Sequence, residues 1–334
     1  MSVSLTPSLT ILMPCFNESK FIVGSVESLL SGNYPKSKIE ILVIDGGSTD
    51  NTIEKVKLLC ERFDSVKLLH NAKKVVPAAL NLGVASASND LLIWCGAHAI
   101  YDSDYVKNSV ATLLGEQAAS SVGGVISPIA NSRVGKAIAI ATTSKFGIGN
   151  AKYRYASTRQ LVDTVFGGCF YRANVLKVGG FNEQWIRNQD SEFNHRLRTQ
   201  IGPIILEPSI RCQYYCRETL RELSSQYFSY GFWRFNTLLA HPSSFTYRQA
   251  APVALCAGLA LSFVLLASGW SIGFMLPAVY VSACLTVSFF ETLKSRRMIH
   301  LVLLPVIFFT LHVSWGLGFI WNSLSTGFLR VFNR

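Results

Sequence analysis

The chain has 334 residues, 49% of them hydrophobic and only 15% charged, with Lys and Arg at 31 against Asp and Glu at 20 for a formal net charge of +11. That length excludes a lone small binding module, and a charge content below the quarter or so typical of soluble domains points to lipid contact. The positive balance implies an anionic surface or ligand. Nucleic-acid motifs are absent, so no nucleic acid is expected, whereas anionic headgroups contribute about 1 kcal/mol per nearby Lys or Arg.

Met1 to Ser8 carries no basic stretch followed by an apolar core, so no cleavable signal peptide is expected and the first domain is expected to stay in the cytoplasm. Leu9 to Met13 reads as a short apolar strand that breaks at Pro14, and positions 22, 26, 29 and 30 return at helical spacing. Ile39 to Ile44 is a second strand. The loop Asp45-Gly46-Gly47-Ser48 then leads into a helix capped by Ser48, Thr49 or Asp50. A third strand, Val66 to Leu69, precedes the basic loop at Lys73 and Lys74 and a helix from Pro77 to Ala85. Leu91 to Cys95 is a fourth strand, apolar throughout as expected when helices cover both faces of a parallel sheet. Strands alternating with helices predict a doubly wound sheet, in which ligands sit beyond the carboxyl ends of the strands. Asn17, Glu18, Asp45, Lys73 and His98 all fall at those ends, around one crevice.

Asp102-Ser103-Asp104 lies several residues beyond the fourth strand, just ahead of the apolar positions 106, 110 and 113 of a helix, where carboxylates serve as caps. The eight cysteines are scattered without C-x-x-C spacing and read as reduced buried thiols; Cys212 and Cys216 have no second ligand pair for zinc. From Arg211 to Arg234 the chain is basic and aromatic, a mixture that settles at headgroup depth. No charge occurs between Arg248 and Glu291, which is long enough for two crossings with a turn near Gly269-Trp270. Lys294, Arg296 and Arg297 place the next loop in the cytoplasm, and Leu301 to Trp321 is a third apolar segment, spanning or re-entrant. Three spans would leave Arg330 and Arg334 outside. The expected division is 1–210 for the α/β domain, 211–248 for the interfacial segment and 249–334 for the membrane region of about three spans.

The runs Ile11-Leu12-Met13-Pro14-Cys15-Phe16-Asn17-Glu18 and Val43-Ile44-Asp45-Gly46-Gly47-Ser48-Thr49-Asp50-Asn51-Thr52 resemble the opening signature of family 2 glycosyltransferases. The likeness continues through Asn81-Leu82-Gly83, Gly167-Gly168 and Asn188-Gln189-Asp190-Ser191-Glu192, covering about Leu9 to Arg234. Phe146 to Arg154, with Asn150 inside it, and the apolar tail look like the succinoglycan-type exopolysaccharide glucosyltransferases. The resemblance implies a GT-A fold, Rossmann-like with a mostly parallel sheet, followed by an interfacial helical segment and a transmembrane helical region.

It further implies a nucleotide pocket of Pro14, Asn17, Glu18, Asp45, Lys73 and His98, with Asp45 accepting from a uracil imide. The alternative for Asp45 is a turn residue that satisfies backbone amides. Asp190 matches the family's catalytic base, which takes a proton from the acceptor hydroxyl; the alternative is a helix cap. Glu192, Gln226, Trp233 and Arg234 are the acceptor candidates, although a family Gln-x-x-Arg-Trp motif is matched here only in part. The family's Asp-x-Asp, which holds a divalent cation, is replaced by Gly96-Ala97-His98. Mn²⁺ or Mg²⁺ is the implied cofactor, with His98 open between metal ligand and hydrogen-bonding residue. Lys152 and Arg154 read either as a site for a lipid diphosphate or as a solvated basic loop.

The implied reaction moves a hexose, glucose from UDP-glucose in the simplest case, onto a polyprenyl-diphosphate-linked saccharide at the bacterial inner membrane, with inversion. The catalytic domain faces the cytoplasm, and other polysaccharide-assembly proteins are conceivable partners. Two alternatives stand beside it: polyprenyl phosphate as acceptor, and a non-catalytic sugar-nucleotide-binding scaffold.

Overall fold

The computed structural model describes residues 6–149, 151–244 and 247–332; Asn150 and Arg334, used above, lie outside the described residues. In chain order the elements are β1 (Leu9–Cys15), α1 (Ile22–Leu30), β2 (Ile39–Asp45), α2 (Thr52–Arg62), β3 (Val66–His70), α3 (Val76–Ser86), β4 (Leu91–Trp94), β5 (Ala99–Tyr101) and α4 (Tyr105–Gly115). They continue with β6 (Ser121–Ile129), α5 (Arg133–Ala141), α6 (Lys145–Ile148), β7 (Gln160–Val162), β8 (Phe166–Tyr171), α7 (Arg172–Lys177), α8 (Gln189–Gln200) and β9 (Ile204–Tyr215). The last four are α9 (Leu220–Ala240), α10 (Tyr247–Ala267), α11 (Met275–Ser295) and α12 (Ile299–Phe332). Two compact units result, one of residues 1–127 and 152–215, the other of residues 128–151 and 216–334.

The first unit is built on a sheet of order β3-β2-β1-β4-β8-β6-β9-β5, with β7 pairing β9. The parallel strands expected from the alternating pattern are β3, β2, β1 and β4. Beyond them the sheet turns antiparallel, at β4 with β8, β8 with β6, and β9 with both β5 and β7. Alternate residues along β1 and β2 feed two cores. Leu9, Ile11, Met13, Ile41 and Val43 pack with Ile22, Val26 and Leu29 of α1 on one face, while Leu12, Leu42 and Ile44 pack with Leu80 of α3 and with Phe193 and Leu197 of α8 on the other. Full burial of each such side chain contributes about 1.5–3 kcal/mol.

Pro14 does not break β1, which runs on to Cys15 with Pro14 in register with Ile44. The ladder to β4 ends at Leu12, whose carbonyl accepts from the Cys95 amide at 2.9 Å. By the alternation of a strand, position 14 points its nitrogen to that same, already vacant side, where a missing N–H costs no ladder bond. Residues 211–215, expected at a membrane interface, are instead the end of β9. Ile210 and Cys212 are buried while Arg211 and Gln213 are exposed, the period of two that a half-buried strand requires.

The second unit is helical apart from the end of β6 and includes residues 128–151, which a division at 210 does not anticipate. Ala137, Ile138 and Ala141 of α5 pack with Leu223 and Tyr227 of α9, Cys284 of α11, and Leu304, Ile307, Phe308 and Leu311 of α12. Helices α9 and α12 approach closely because each presents a glycine: a Cβ on Gly231 would stand 1.9 Å from the Trp315 carbonyl oxygen, and one on Gly318 would stand 2.0 Å from that of Phe228. Three segments, Gln249–Ala267, Ser271–Ser295 and Ile299–Thr326, are long and apolar enough to cross a membrane. The turn between the first two contains Gly269 at φ +85°, where the sequence places it.

Candidate functional site

The loops that leave β1 and β2 are fastened to each other by short polar side chains. Asn17 adopts a left-handed backbone (φ 56°), its amide donates to Ser48 Oγ at 2.8 Å, and its Oδ1 accepts from the Thr49 amide at 2.8 Å. The Glu18 amide donates to Thr52 Oγ1 at 2.8 Å, and Asp50 accepts from the amides of Ser19 and Thr52. Asp50 therefore ties the start of α2 to the β1 loop, close to its expected capping role.

Asp45 closes β2 and is 2% exposed. Its Oδ2 accepts from the amides of Gly47 (2.7 Å) and Ser48 (3.0 Å), its Oδ1 accepts from Ser48 Oγ at 2.5 Å, and Cys15 Sγ lies 3.8 Å from Oδ1. The carboxylate thus shapes its own turn, the alternative left open above, and Gly47 at φ +83° permits that turn. Burial, then the Asp45 and Glu18 charges, push the Cys15 thiol upward, so it stays protonated. Pro14 lies half-buried one residue earlier.

Of the two loop lysines, Lys73 is drawn away: its Nζ meets Glu183 Oε2 at 2.5 Å. The cation beside the Asp45 turn is Lys74. It holds a left-handed backbone at φ 58°, unusual for a lysine, and its Cε lies 3.2 Å from where a Cβ on Gly47 would stand. The sequence signal for this was slight, because adjacent lysines look alike until the backbone aims them apart.

His98 follows β4, with its Nδ1 2.9 Å from Glu18 Oε1, and its carbonyl accepts from the Tyr215 amide at 3.1 Å. Asp104, ahead of α4, makes no side-chain cap bond; Asn33 Nδ2 donates to it at 3.0 Å and Lys107 lies 3.7 Å away. Among the described residues, no three His, Cys, Asp or Glu side chains gather in a way that would hold a metal ion. A hard divalent cation needs several oxygen donors. One imidazole on a carboxylate, beside Gly96 and Ala97, supplies at most two donors, and such an ion would take the rest from phosphate oxygens and water.

Asp190 stands half-buried in the first turn of α8, its Oδ1 accepting from the Ser191 amide at 2.8 Å. Asn188, just ahead, is left-handed at φ 56°. Below them Phe193 stacks on Phe181 with centroids 4.0 Å apart and meets Phe170 edge-on at 5.7 Å, which fixes the first turn against the sheet. Asn81 of α3 clamps the approach: its Oδ1 accepts from the Phe181 amide at 2.8 Å, and its Nδ2 donates to the Phe181 carbonyl at 2.8 Å and to Glu183 Oε1 at 3.1 Å. Glu183 was not visible as a site residue from sequence.

Glu192 is 2% exposed and forms a fork with Arg196, Oε1 to Nε at 2.6 Å and Oε2 to Nη2 at 2.7 Å. Arg196 Nη1 also donates to the carbonyls of Val178 and Gly180. This places Glu192 in the support of the loop rather than on its open side, against its expected acceptor contact. Gln226, Trp233 and Arg234 lie half-buried on α9 in the second unit, where Gln226 donates to Tyr230 Oη at 3.0 Å and Arg234 donates to the Ser244 carbonyl at 2.5 Å.

Comparison with known proteins gives this arrangement a family. The model described as Glycosyl transferase family 2 matches residues 10–180. The succinoglycan biosynthesis protein ExoA of Rhizobium meliloti (strain 1021) is 31% identical, over 95% of each chain. A dolichyl N-acetyl-alpha-D-glucosaminyl phosphate 3-beta-D-2,3-diacetamido-2,3-dideoxy-beta-D-glucuronosyltransferase of Methanococcus voltae is 28% identical, over 93% of this chain and 95% of that one. Among solved structures, the mannosyltransferase PcManGT of Pyrobaculum calidifontis, in complex with GDP-Man and Mn²⁺, shares the fold at a TM-score of 0.65 and 18% identity, over 91% of this chain and 87% of that one. Parallel strands with polar loops at their carboxyl ends, a carboxylate in the first turn of α8 and full-length similarity to these proteins make the chain a GT-A glycosyltransferase belonging to family 2.

Proposed function

We propose that the protein transfers a hexose from a UDP-sugar to a lipid-linked saccharide, with inversion, in the assembly of an exopolysaccharide or related surface polymer. The observation that carries this is the first turn of α8: Asp190 is offered there by a loop held on both sides, by Asn81 and by the Glu192–Arg196 fork. A single ionised carboxylate suits a one-step displacement. Asp190 accepts the proton of the acceptor hydroxyl, that oxygen forms its bond to the anomeric carbon from the far side, and the bond to the diphosphate breaks as the nucleotide leaves. Two facing carboxylates, as in glycoside hydrolysis, are not required because the leaving diphosphate needs charge stabilisation more than a proton.

The nucleotide falls to the Asp45 turn, Asn17, and Lys74 in place of Lys73. The Rhizobium relative, by its name, works in succinoglycan biosynthesis, and the Methanococcus relative's name specifies a lipid phosphate that already carries a sugar. Both favour a saccharide on a lipid over polyprenyl phosphate itself. Gln226, Trp233 and Arg234 are assigned to the acceptor, and Glu192 to positioning. The second unit anchors the enzyme in the bacterial inner membrane, multi-pass and with its catalytic unit in the cytoplasm, where the loop of Lys294, Arg296 and Arg297 also lies.

The test is transfer of labelled hexose from a panel of UDP- and GDP-sugars into lipid extract by the protein in bilayers. UDP-hexose is expected to label a lipid whose mass includes at least two sugars. Asp190→Asn is expected to lower turnover by about 10²–10⁴-fold with donor affinity unchanged. Turnover equal to wild type in that variant, or a product of one sugar on polyprenyl phosphate, removes this assignment.

A further inference from the structure

We propose that the starts of α5 and α9 together form a seat for anionic phospholipid headgroups, built from Arg133, Lys136, Arg217 and Arg221. This rests on the reading of the second unit as a membrane anchor. The first support is where the charge lies. Residues 128–151 and 216–334 contain twelve Lys or Arg against three Glu and no Asp, a net +9 of the chain's +11. The unit that carries the apolar helices is thus also the basic one, which favours an anionic surface over a neutral one. Its α5 residues Ala137, Ile138 and Ala141 pack with Leu304, Ile307 and Phe308, within the first three turns of α12 and toward the end that follows Arg296 and Arg297. Headgroups lie at such an end of an apolar helix.

The second support is how the three acids are spent. Glu218 turns onto the start of α5, where it accepts from the amides of Asn131 at 2.8 Å and Ser132 at 3.0 Å and from the Ser132 hydroxyl. A side chain at position 135 would collide with that carboxylate, so Gly135 keeps its seat open. Burial alone would raise the Glu218 pKa, but these bonds and the Lys136 charge outweigh it and hold the carboxyl below its ordinary range. Glu222 is taken up at the start of α9: its amide donates to Thr219 Oγ1 and its Oε2 accepts from the Glu218 amide, both at 3.2 Å. Glu291 pairs with Lys294 at 2.8 Å. Both helix starts are therefore satisfied by protein oxygens, and the cations beside them are left for another anion. Arg133 follows Ser132 and Arg217 precedes Glu218, so the Glu218 bonds bring their backbones together; Lys136 lies one turn along α5 and Arg221 in the first turn of α9. All four are exposed, and among the described residues none of them forms an ion pair. Guanidinium and ammonium donors suit phosphate oxygens.

Native mass spectrometry of the full-length protein in neutral detergent, titrated with phosphatidylglycerol and with phosphatidylcholine of the same acyl chains, reads the two affinities. Phosphatidylglycerol is expected to bind at least about fivefold tighter, and the gap is expected to close in about 1 M salt. The combined variant Arg133→Gln, Lys136→Gln, Arg217→Gln, Arg221→Gln is expected to bring the two affinities within about twofold at low salt. Lys36→Gln, Lys38→Gln, Lys57→Gln, Lys177→Gln, equal in charge but on the first unit, is expected to keep the gap. Equal affinities in wild type, a gap that survives the four substitutions, or one lost as fully in the first-unit variant overturns the proposal. If the combined variant fails to fold, Arg217→Gln with Arg221→Gln is expected to narrow the gap, and an unchanged gap there overturns the proposal as well. Flotation with phosphatidylcholine liposomes, expected for wild type and every variant, reads anchorage by the apolar helices. Protein that does not float removes the anchorage reading itself, and this proposal with it.

Discussion

Strand β2 carries a buried carboxylate at each end, and the two are satisfied in opposite ways. Glu40, at the start, accepts from Thr10 Oγ1 of β1 at 2.7 Å, from Lys67 Nζ of β3 at 2.7 Å, and from both the amide and hydroxyl of Ser88 at 2.9 Å. Its partners come from three other segments. Asp45, at the end, is satisfied almost wholly by Gly47 and Ser48 of its own turn. One carboxylate sews neighbouring strands together. The other shapes the loop that follows its own strand. The same strand is thus tied to its neighbours at one end and to its own following loop at the other.

Removing the sealing carboxylate has the largest consequence for the fold. Burial alone would raise the Glu40 pKa, but the bonds from Lys67, Ser88 and Thr10 outweigh it and hold the group at about 2. Glu40→Gln leaves the Ser88 and Lys67 donors short of an acceptor and is expected to cost about 2–3 kcal/mol, read as a lower thermal midpoint of the catalytic unit with donor affinity unchanged. A depressed carboxylate stabilises the fold above its ordinary value of 4.5 and ceases to do so as pH falls through about 2. The gap between wild type and Glu40→Gln should therefore close across that window, and a gap that stays constant there refutes the assignment.

The other end of β2 is expected to answer in the opposite currency. Asp45→Asn keeps the shape but puts an amide where the Gly47 and Ser48 donors point, so the donor KM is expected to rise about tenfold while stability falls by less than about 1.5 kcal/mol. A larger loss of stability than in Glu40→Gln would erase the distinction between the two ends.

Which parts of this were legible in the sequence follows from the range over which the forces act. The parallel half of the sheet announced itself through apolar runs and intervening helical spacing, since both patterns are local. The antiparallel half did not: β5 and β7 are three residues each, too short for a period to register. β9 was hidden because Tyr214, Tyr215 and Arg211 mimic the composition of an interface, although the burial of Ile210 and Cys212 follows a strand's alternation. Residues 128–151 joined the helical unit through contacts with Leu304, Ile307 and Phe308, more than 150 positions away, which no local pattern encodes. Within the site, Asp190 at a helix start and Asp45 at a strand end were visible from motif and position. Glu183 was not, because its partners Lys73 and Asn81 are separated from it by about a hundred residues.

The smallest effect separates the two lysines. Lys73 and Glu183 form an ion pair in which Lys73 is 68% exposed, and the bonds from Lys73 and Asn81 lower the Glu183 pKa. An exposed pair of this kind contributes about 0–1 kcal/mol, so Lys73→Met is expected to change stability by no more than that and donor affinity hardly at all. Among the described residues Lys74 has no such partner, and its left-handed backbone holds the ammonium stem over Gly47, a conformation that costs about 1–2 kcal/mol and persists only where the surrounding fold enforces it. Lys74→Met is therefore expected to weaken UDP binding severalfold, by about 1 kcal/mol. Calorimetry on the two variants side by side reads the difference directly. If Lys73→Met proves the more damaging of the two, the nucleotide charge is met beside the Glu183 loop rather than over the Asp45 turn.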